Sequence, residues 1–211
     1  MSALSAMVYV VDDDAGVRKG MARLMASAGY RVETFETGRA YLQRAAVDEP
    51  WPACMLLDVN MPDLNGLDLQ RELNNADSVL PIVFLSGQAD VPMSVRAMKQ
   101  GAADFITKPP EEKVLLEVIA RAMDRAVRNA AFKAEIDSIQ RRIATLTPRE
   151  HEVMEHVVAG RLSKQIAGDI GTVLKTVKVH RGRVMKKMEV HTLVDLVRCI
   201  EKISRIVPRN G

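Results

Sequence analysis

The sequence predicts an α/β protein, in which a doubly wound parallel sheet is followed by an all-α domain. Two observations lead to this prediction. Five short apolar segments alternate with helical patterns in the first part of the chain, and only helical patterns follow from residue 111 onward. Strands that alternate with helices form parallel sheets covered on both faces. We expect a first domain over 1–125, a helical linker over 126–146 and a second domain over 147–211.

Each predicted strand is a short apolar segment. The five segments cover residues 7–11, 31–35, 53–57, 81–85 and 104–107. The third, "ACMLL", is apolar throughout, as expected of a strand with helices on both faces. The first intervening helix is indicated by Val17, Met21 and Leu24 at helical spacing, with Gly29 at its end.

The segment after the last strand is predicted to be a long helix, because residues 111–146 contain neither Gly nor Pro. Its first part has the apolar spacing of a helix docked on the sheet. Its second part alternates spacings of four and three, as in a coiled coil, at Phe132, Ile136, Ile139, Ile143 and Leu146. An ordinary linker helix and a dimerising or signalling helix both remain open.

The tail is predicted to form four short helices over residues 147–205. Thr147 is the expected N-cap of the first, Pro148 its first residue, and Gly160 its end. Helix, short turn and helix over 163–188 predict a helix-turn-helix motif, in which the second helix enters the major groove of DNA.

The first 146 residues and the remaining 65 differ in charge. Residues 1–146 carry 17 Lys and Arg against 20 Asp and Glu, whereas residues 147–211 carry 13 against 7 and hold all four histidines. No apolar run approaches the roughly 18 residues needed to cross a bilayer, and no basic residue precedes Arg18, so we expect no signal peptide. Cys54 and Cys199 are expected to be reduced core residues. We therefore predict a cytoplasmic protein without a membrane partner.

Acidic residues cluster where the first strand ends, in "VYVVDDDAGVR". Neighbouring carboxylates repel one another, so either water at an exposed tip or a cation must stabilise them. Asp58, Ser86 and Lys108 likewise follow the third, fourth and fifth strands. Functional groups of doubly wound sheets gather beyond the carboxyl ends of the strands. These groups are therefore expected on one rim, the alternative being that each is a separate loop residue.

The motifs "VVDDD", "LDVNMPDLNG" and "SGQADVPMSVRAMKQGAADFITKP" resemble the receiver domains of two-component response regulators, which have a flavodoxin-like (βα)5 fold. The resemblance implies that Asp58 is the phosphoacceptor. It further implies a Mg²⁺ site formed by Asp13, the Asp58 carboxylate and the Asn60 backbone carbonyl, with Asp12 assisting through water. Carboxylates, carbonyls and water are the ligands Mg²⁺ prefers. Asp14 is expected to face solvent.

The same resemblance gives roles to three further residues. Ser86 would hydrogen-bond a phosphoryl oxygen, Lys108 would neutralise the phosphoryl group, and Phe105 would turn inward as a switch residue. A core role for Phe105 remains equally open. The peptide after Lys108 is expected to be cis, and Pro110 stands where the family usually has an aromatic residue.

On a helical wheel, the second helix of the predicted helix-turn-helix has two faces. Val173, Val177, Val184 and Met188 form an apolar stripe expected to face the core. The opposite face carries Lys175, Lys178, Val179, Gly182, Arg183 and Lys186. Such a face is either merely solvated or binds nucleic acid, and the excess of basic residues favours nucleic acid. Residues 147–211 contain no aromatic residue, which argues against stacking on single strands or RNA.

The tail resembles the LuxR-type helix-turn-helix of the FixJ/NarL response regulators, through "LTPRE", "AGRLSKQIAGDIG" and "TVKVHRGRVMKKMEV". We expect Lys178 and Val179 at base edges in the major groove. Phosphate contacts are predicted for Lys164, Thr176, His180 and Lys186, although a core-flanking role explains His180 equally well. Val173 replaces the usual capping Ser, so Thr172 is considered as the cap.

Together these features predict a phosphorylation-controlled, DNA-binding transcriptional regulator. Its expected partners are a sensor histidine kinase, double-stranded promoter DNA and a second copy of the chain. The dimer contact would use residues 91–105 or the isoleucine stripe after Phe132. An enzymatic role is disfavoured, because Asn60 stands where phosphoaspartate phosphatases have a second aspartate. A phosphorylation-independent binding module is the third alternative. The presence of the complete set argues against it, namely Asp12, Asp13, Asp58, Ser86 and Lys108.

Overall fold

The computed structural model describes residues 6–44, 52–87 and 91–204. It divides into two compact units, residues 1–131 and 132–211. The elements are β1 (Met7–Val11), α1 (Ala15–Ser27), β2 (Arg31–Phe35), α2 (Gly38–Leu42), β3 (Ala53–Asp58), α3 (Gly66–Asn75), β4 (Ile82–Ser86), α4 (Val91–Lys99), β5 (Asp104–Thr107), α5 (Glu112–Ala144), α6 (Pro148–Val158), α7 (Ser163–Asp169), α8 (Leu174–Lys187) and α9 (Leu193–Ser204).

The first unit is a five-stranded parallel sheet with the order β2-β1-β3-β4-β5. The central strand β3 pairs with β1 on one side and β4 on the other, and β5 pairs with β4. The strand order reverses direction beside β1, so the carboxyl ends of β1 and β3 flank the switch point where doubly wound sheets bind their ligands. The predicted α/β fold is confirmed.

Both faces of the sheet are covered, because side chains alternate along each strand. Tyr9 and Val11 of β1 pack with Tyr41, Leu69 and other residues of α2, α3 and α4. Val8 and Val10 pack on the other face with α1 and α5. This two-sided burial explains why β1, β3 and β4 lack an apolar–polar alternation.

The second unit contains the last part of α5 and the four helices α6 to α9. Ile139 is only 1 % exposed and belongs to the core of this unit, and Ile143 and Leu146 pack against the same core. The predicted linker over 126–146 thus ends within the second compact unit, because the last part of its apolar stripe packs into the core of that unit. The unit boundary between residues 131 and 132 differs from the predicted boundaries at 125 and 146.

The predicted start of α6 is confirmed in detail. Thr147 caps α6, with the Thr147 side chain accepting from the Glu150 N–H and the Glu150 side chain accepting from the Thr147 N–H. Pro148 is the first helical residue. Within the described ranges 6–44, 52–87 and 91–204, no helix has the length and apolar character to span a membrane.

Candidate functional site

Four polar residues meet at the carboxyl edge of the sheet, as predicted. Asp12 directly follows β1, Asp58 and Ser86 are the last residues of β3 and β4, and Lys108 directly follows β5. The register places Asp58 beside Leu85 and Ser86 beside Thr107. The alternative of four separate loop residues is wrong, since pairing of neighbouring strands brings these strand ends side by side.

The centre of this edge is an ammonium bound between two carboxylates. Lys108 Nζ lies 2.6 Å from Asp12 Oδ2 and 2.7 Å from Asp58 Oδ1. Asp12 and Asp58 are buried, and Lys108 is mostly covered. The peptide between Lys108 and Pro109 is cis, as expected. Lys108 is also held through its own N–H, which donates to the Ser86 carbonyl oxygen at 2.8 Å.

Burial and hydrogen bonding shift the pKa values of Asp12 and Lys108 in opposite directions. Burial raises the pKa of Asp12 above its ordinary value, although hydrogen bonds from Lys108 and from the Asp14 N–H oppose that rise. Burial alone would lower the pKa of Lys108, but the hydrogen bonds to Asp12 and Asp58 outweigh it and leave this pKa raised. Lys108 is therefore a cation at neutral pH, and its hydrogen bond opposes the rise in the pKa of Asp12.

The three consecutive aspartates have different structural roles. Asp12 is buried, and its Oδ1 accepts from the Asp14 N–H at 3.0 Å. Asp13 is exposed at the mouth of the site. Asp14 is exposed as expected, and it is also the N-cap of α1, because its Oδ1 accepts from the N–H groups of Gly16 and Val17. The capping role was missed, although an aspartate just before a helical pattern is the ordinary signal for it.

The acidic cluster has the donor set of a metal site. Carboxylate oxygens of Asp12, Asp13 and Asp58 all lie within 4.8 Å of one another. Hard oxygen ligands of this kind suit a hard divalent cation such as Mg²⁺. Asn60 lies beside the cluster and donates its backbone N–H to Asp58 Oδ2 at 3.1 Å. Its carbonyl as a metal ligand stays a prediction.

The remaining residues of the edge differ in their surroundings. Ser86 is fully buried, whereas Phe105 is partly buried, with its ring centroid 6.1 Å from that of Phe84. Gly66 was missed by the sequence analysis. A Cβ there would lie 2.4 Å from the Asp58 carbonyl oxygen. The signal was its place at the end of "NMPDLNG", where the chain turns back against β3.

In the second unit, α8 presents the predicted basic face to solvent. Lys175, Lys178, Val179, Gly182, Arg183 and Lys186 are all exposed. Lys164, on α7, is exposed as well, and Thr176 and His180 are partly buried at the edge of the face. His180 Nδ1 is buried without a hydrogen-bond partner, which is consistent with the core-flanking alternative.

Two predictions about the start of α8 are wrong. Val177, Val184 and Met188 are buried, but Val173 is 65 % exposed. Val173 is the N-cap, so its extended backbone takes the side chain off the helical stripe. Thr172 does not cap the helix either, and its N–H instead donates to the Ala167 carbonyl. The helix consequently starts without a side-chain cap.

Side chains from neighbouring helices fix the position of α8, and none of them was predicted. Lys187 Nζ lies 2.6 Å from Glu150 Oε2 and donates to the Thr145 carbonyl at 2.8 Å. Arg142 Nη1 donates to the Met188 carbonyl at the end of α8. The hydrogen bond from Lys187, with those from Thr147, lowers the pKa of the buried Glu150 to about 2.

Comparison with known families matches both units. Residues 8–120 match the response regulator receiver domain, and residues 144–200 match the LuxR family of bacterial regulatory proteins. Nodulation protein W of Bradyrhizobium diazoefficiens is 39% identical over 96% of this chain and 88% of its own length. The transcriptional regulatory protein FixJ of Rhizobium meliloti is 39% identical over 90% of this chain and 93% of its own.

Solved structures give the same result. The response regulator StyR has 38% identity and a TM-score of 0.72, with 94% of this chain and 99% of that chain covered. Full-length FixJ from B. japonicum has 36% identity and a TM-score of 0.56, with coverage of 94% and 97%. These matches span both units, so the order of the two units along the chain is shared as well.

Proposed function

Because the chain belongs to the response regulators that join a receiver domain to a LuxR-type DNA-binding domain, we propose that phosphorylation of Asp58 controls its binding to promoter DNA. The observation that carries the proposal is the contact of Lys108 with both Asp12 and Asp58, two acids of the acidic cluster. This arrangement places a nucleophilic carboxylate beside a fixed cation, which is what transfer of an anionic phosphoryl group requires.

In the proposed transfer, a carboxylate oxygen of Asp58 forms a bond to phosphorus. The bond from phosphorus to the donor breaks, and its electron pair leaves on the donor atom. The donor is an imidazole nitrogen of a sensor histidine kinase or the carboxylate of an acyl phosphate. The product is an aspartyl phosphate on Asp58, a covalent adduct of the kind formed by other carboxylate nucleophiles.

The chain's own residues would bind and neutralise the new group. Lys108 would exchange part of its contact with the two carboxylates for a phosphoryl oxygen, and the hydroxyl of Ser86, at the end of the neighbouring strand, would donate to another. Phe105 would follow Ser86 inward as the switch residue. We assign the Mg²⁺ to Asp13, Asp58 and the carbonyl of Asn60, with Asp12 assisting through water. There it would supply positive charge against the phosphoryl oxygens.

DNA would be bound by the exposed face of α8. We place this helix in the major groove with Lys178 and Val179 at base edges. Phosphate contacts are assigned to Lys164, Thr176, His180 and Lys186. The remaining members of the face, which lie beside these residues, are Lys175, Gly182 and Arg183.

The phosphorylated protein is proposed to bind DNA as a homodimer. The exposed apolar side chains of Val91, Val95 and Met98 on α4 support a contact through α4 and β5. The competing isoleucine stripe is less suitable, because Ile139 and Ile143 are covered by their own unit. Dimerisation would connect the two functions, since a dimer can bind two DNA half-sites at once.

The test uses an acyl phosphate donor and Mg²⁺ with the full-length protein. Intact-mass measurement should show one added phosphoryl group on the wild type and none on Asp58→Asn. Asp124→Asn, at an exposed position on α5, is the matched control and should be phosphorylated normally. Light scattering and DNA-binding titrations of the same samples should show a larger mass and tighter binding only where the phosphoryl group is present. A phosphorylated Asp58→Asn variant would contradict the assignment.

A further inference from the structure

A side chain outside the acidic cluster holds the backbone that carries it. Arg18 lies in the second turn of α1, and its Nη1 donates to the Asp12 carbonyl oxygen at 2.6 Å and to the Asp13 carbonyl oxygen at 2.9 Å. One guanidinium nitrogen therefore binds two successive carbonyls. Such a contact fixes both peptide planes, and with them the directions in which the Asp12 and Asp13 side chains leave the backbone.

Arg18 matters most for Asp13. Asp12 is also held by its N–H, which donates to the Phe35 carbonyl, and by its carboxylate, which binds Lys108 and the Asp14 N–H. Asp14 is held by the cap it forms on α1. For Asp13, the bond from Arg18 is the one hydrogen bond found within the described part of the chain.

We propose that Arg18 is a positioning residue for the divalent cation of the acidic cluster. This inference rests on the Mg²⁺ site of the proposed function. With Arg18 in place, the exposed Asp13 carboxylate is presented within 4.8 Å of the Asp12 and Asp58 oxygens before any cation arrives. Without it, Asp13 must be ordered during binding, and that ordering lowers the affinity for the cation.

The proposal is testable because the charge of Arg18 and its positioning role have opposite effects on the affinity for Mg²⁺. A guanidinium near the cluster repels a divalent cation, so electrostatics alone predicts that its removal strengthens Mg²⁺ binding. Loss of positioning predicts weaker binding. Residues that orient metal ligands typically affect affinity by about 10–100-fold. We expect the positioning effect to exceed the relief of repulsion, because Arg18 is partly exposed and Asp13 is exposed, so solvent and salt screen this repulsion.

The experiment is calorimetric titration of the unphosphorylated full-length protein with Mg²⁺. Arg18→Ala is expected to raise the dissociation constant by about 10-fold or more. Arg18→Lys keeps the charge and a donor of shorter reach, and it should recover part of the loss. Arg23→Ala is the matched control: it removes the same side chain from an exposed position of the same helix and should bind as the wild type does. Circular dichroism verifies that each variant is folded.

If Arg18→Ala bound Mg²⁺ as tightly as the wild type, or more tightly, the positioning role would be wrong. The proposed metal site would be unaffected by that result. Equal weakening in Arg23→Ala would overturn the positioning role too, since the effect would then not depend on the contact of Arg18 with the Asp12 and Asp13 carbonyls. A wild type that shows no Mg²⁺ binding would instead refute the metal site itself. Should Arg18→Ala fail to fold, the comparison of Arg18→Lys with the wild type decides, because a shorter donor must still weaken binding.

Discussion

Gly66→Ala should damage the proposed phosphoacceptor site without contacting any group proposed to react. The added Cβ would lie 2.4 Å from the carbonyl oxygen of Asp58 and 3.0 Å from the ring of Phe84, whereas ordinary van der Waals contacts begin at 3.4 Å. The neighbour at 2.4 Å is backbone, so it cannot rotate away. The start of α3 and the end of β3 must therefore separate by about 1 Å, because a packed interior has no void to absorb the methyl group.

Two magnitudes follow from that separation. Overpacking of this kind lowers the free energy of unfolding by about 1–3 kcal/mol. A displacement of about 1 Å at a reacting group can cost about 100-fold in rate, so phosphorylation of Asp58 by an acyl phosphate should slow by about that factor. Urea unfolding measures the first quantity, and mass spectrometry over time measures the second.

Gly20→Ala is the control for the change of residue type. A Cβ on Gly20, in the exposed middle of α1, would meet no atom within 4 Å. This variant should therefore gain about 0.5–1 kcal/mol, because alanine is the better helix former, and should be phosphorylated at the wild-type rate. The reasoning would be refuted if Gly66→Ala unfolded at the wild-type urea concentration and accepted phosphate at the wild-type rate.

Three further predictions concern the second unit. Val173→Ser should supply the side-chain cap that α8 lacks and stabilise the unit by about 1 kcal/mol, which calorimetry should record as a midpoint raised by about 4–8 °C. Since the pKa of Glu150 is lowered to about 2, its ion pair with Lys187 stabilises the unit above pH 4.5 and loses that effect as the pH falls toward 2; Glu150→Gln should flatten this part of a stability-against-pH curve. Lys186→Ala should reduce the slope of log affinity for DNA against log salt concentration by about one, without altering the preferred site. Val179→Ala should instead relax the preference at one base pair and leave that slope unchanged. If Val179→Ala weakened binding to specific and random DNA equally, the placement of the helix would be wrong.

The fold and the centre of the candidate site could be predicted because they depend on local patterns. Apolar segments identify the strands, and parallel pairing then forces Asp58, Ser86 and Lys108 onto the same edge. The apolar stripe of α5 illustrates a limit. Apolar spacings of three and four indicate that one face of a helix is buried. The same spacing is expected whether that face packs against a second copy of the helix or against other helices of its own domain. Only the structure shows that Ile139 is covered from within its own unit.

Other features could not be predicted because they depend on one residue or on contacts to backbone. Val173 was placed on the wrong face because α8 begins one residue later, and a cap does not follow the helical period. Arg18 and Arg142 bind carbonyl oxygens, and every residue has a carbonyl. No sequence pattern therefore distinguishes such arginines from others that remain in solvent.

The contact of Lys108 with two buried acids also restricts how this site can change by mutation. In the resting protein the ammonium is the counter-ion of Asp12 and Asp58. Its replacement by a neutral residue would leave Asp12, whose pKa is already raised by burial, free to take up a proton nearer to neutrality. Such a variant would lose its resting charge balance together with the proposed ligand of the phosphoryl group. Tolerated substitutions at position 108 should consequently arise only alongside a compensating loss of acid at position 12, so the two positions are expected to vary as a pair.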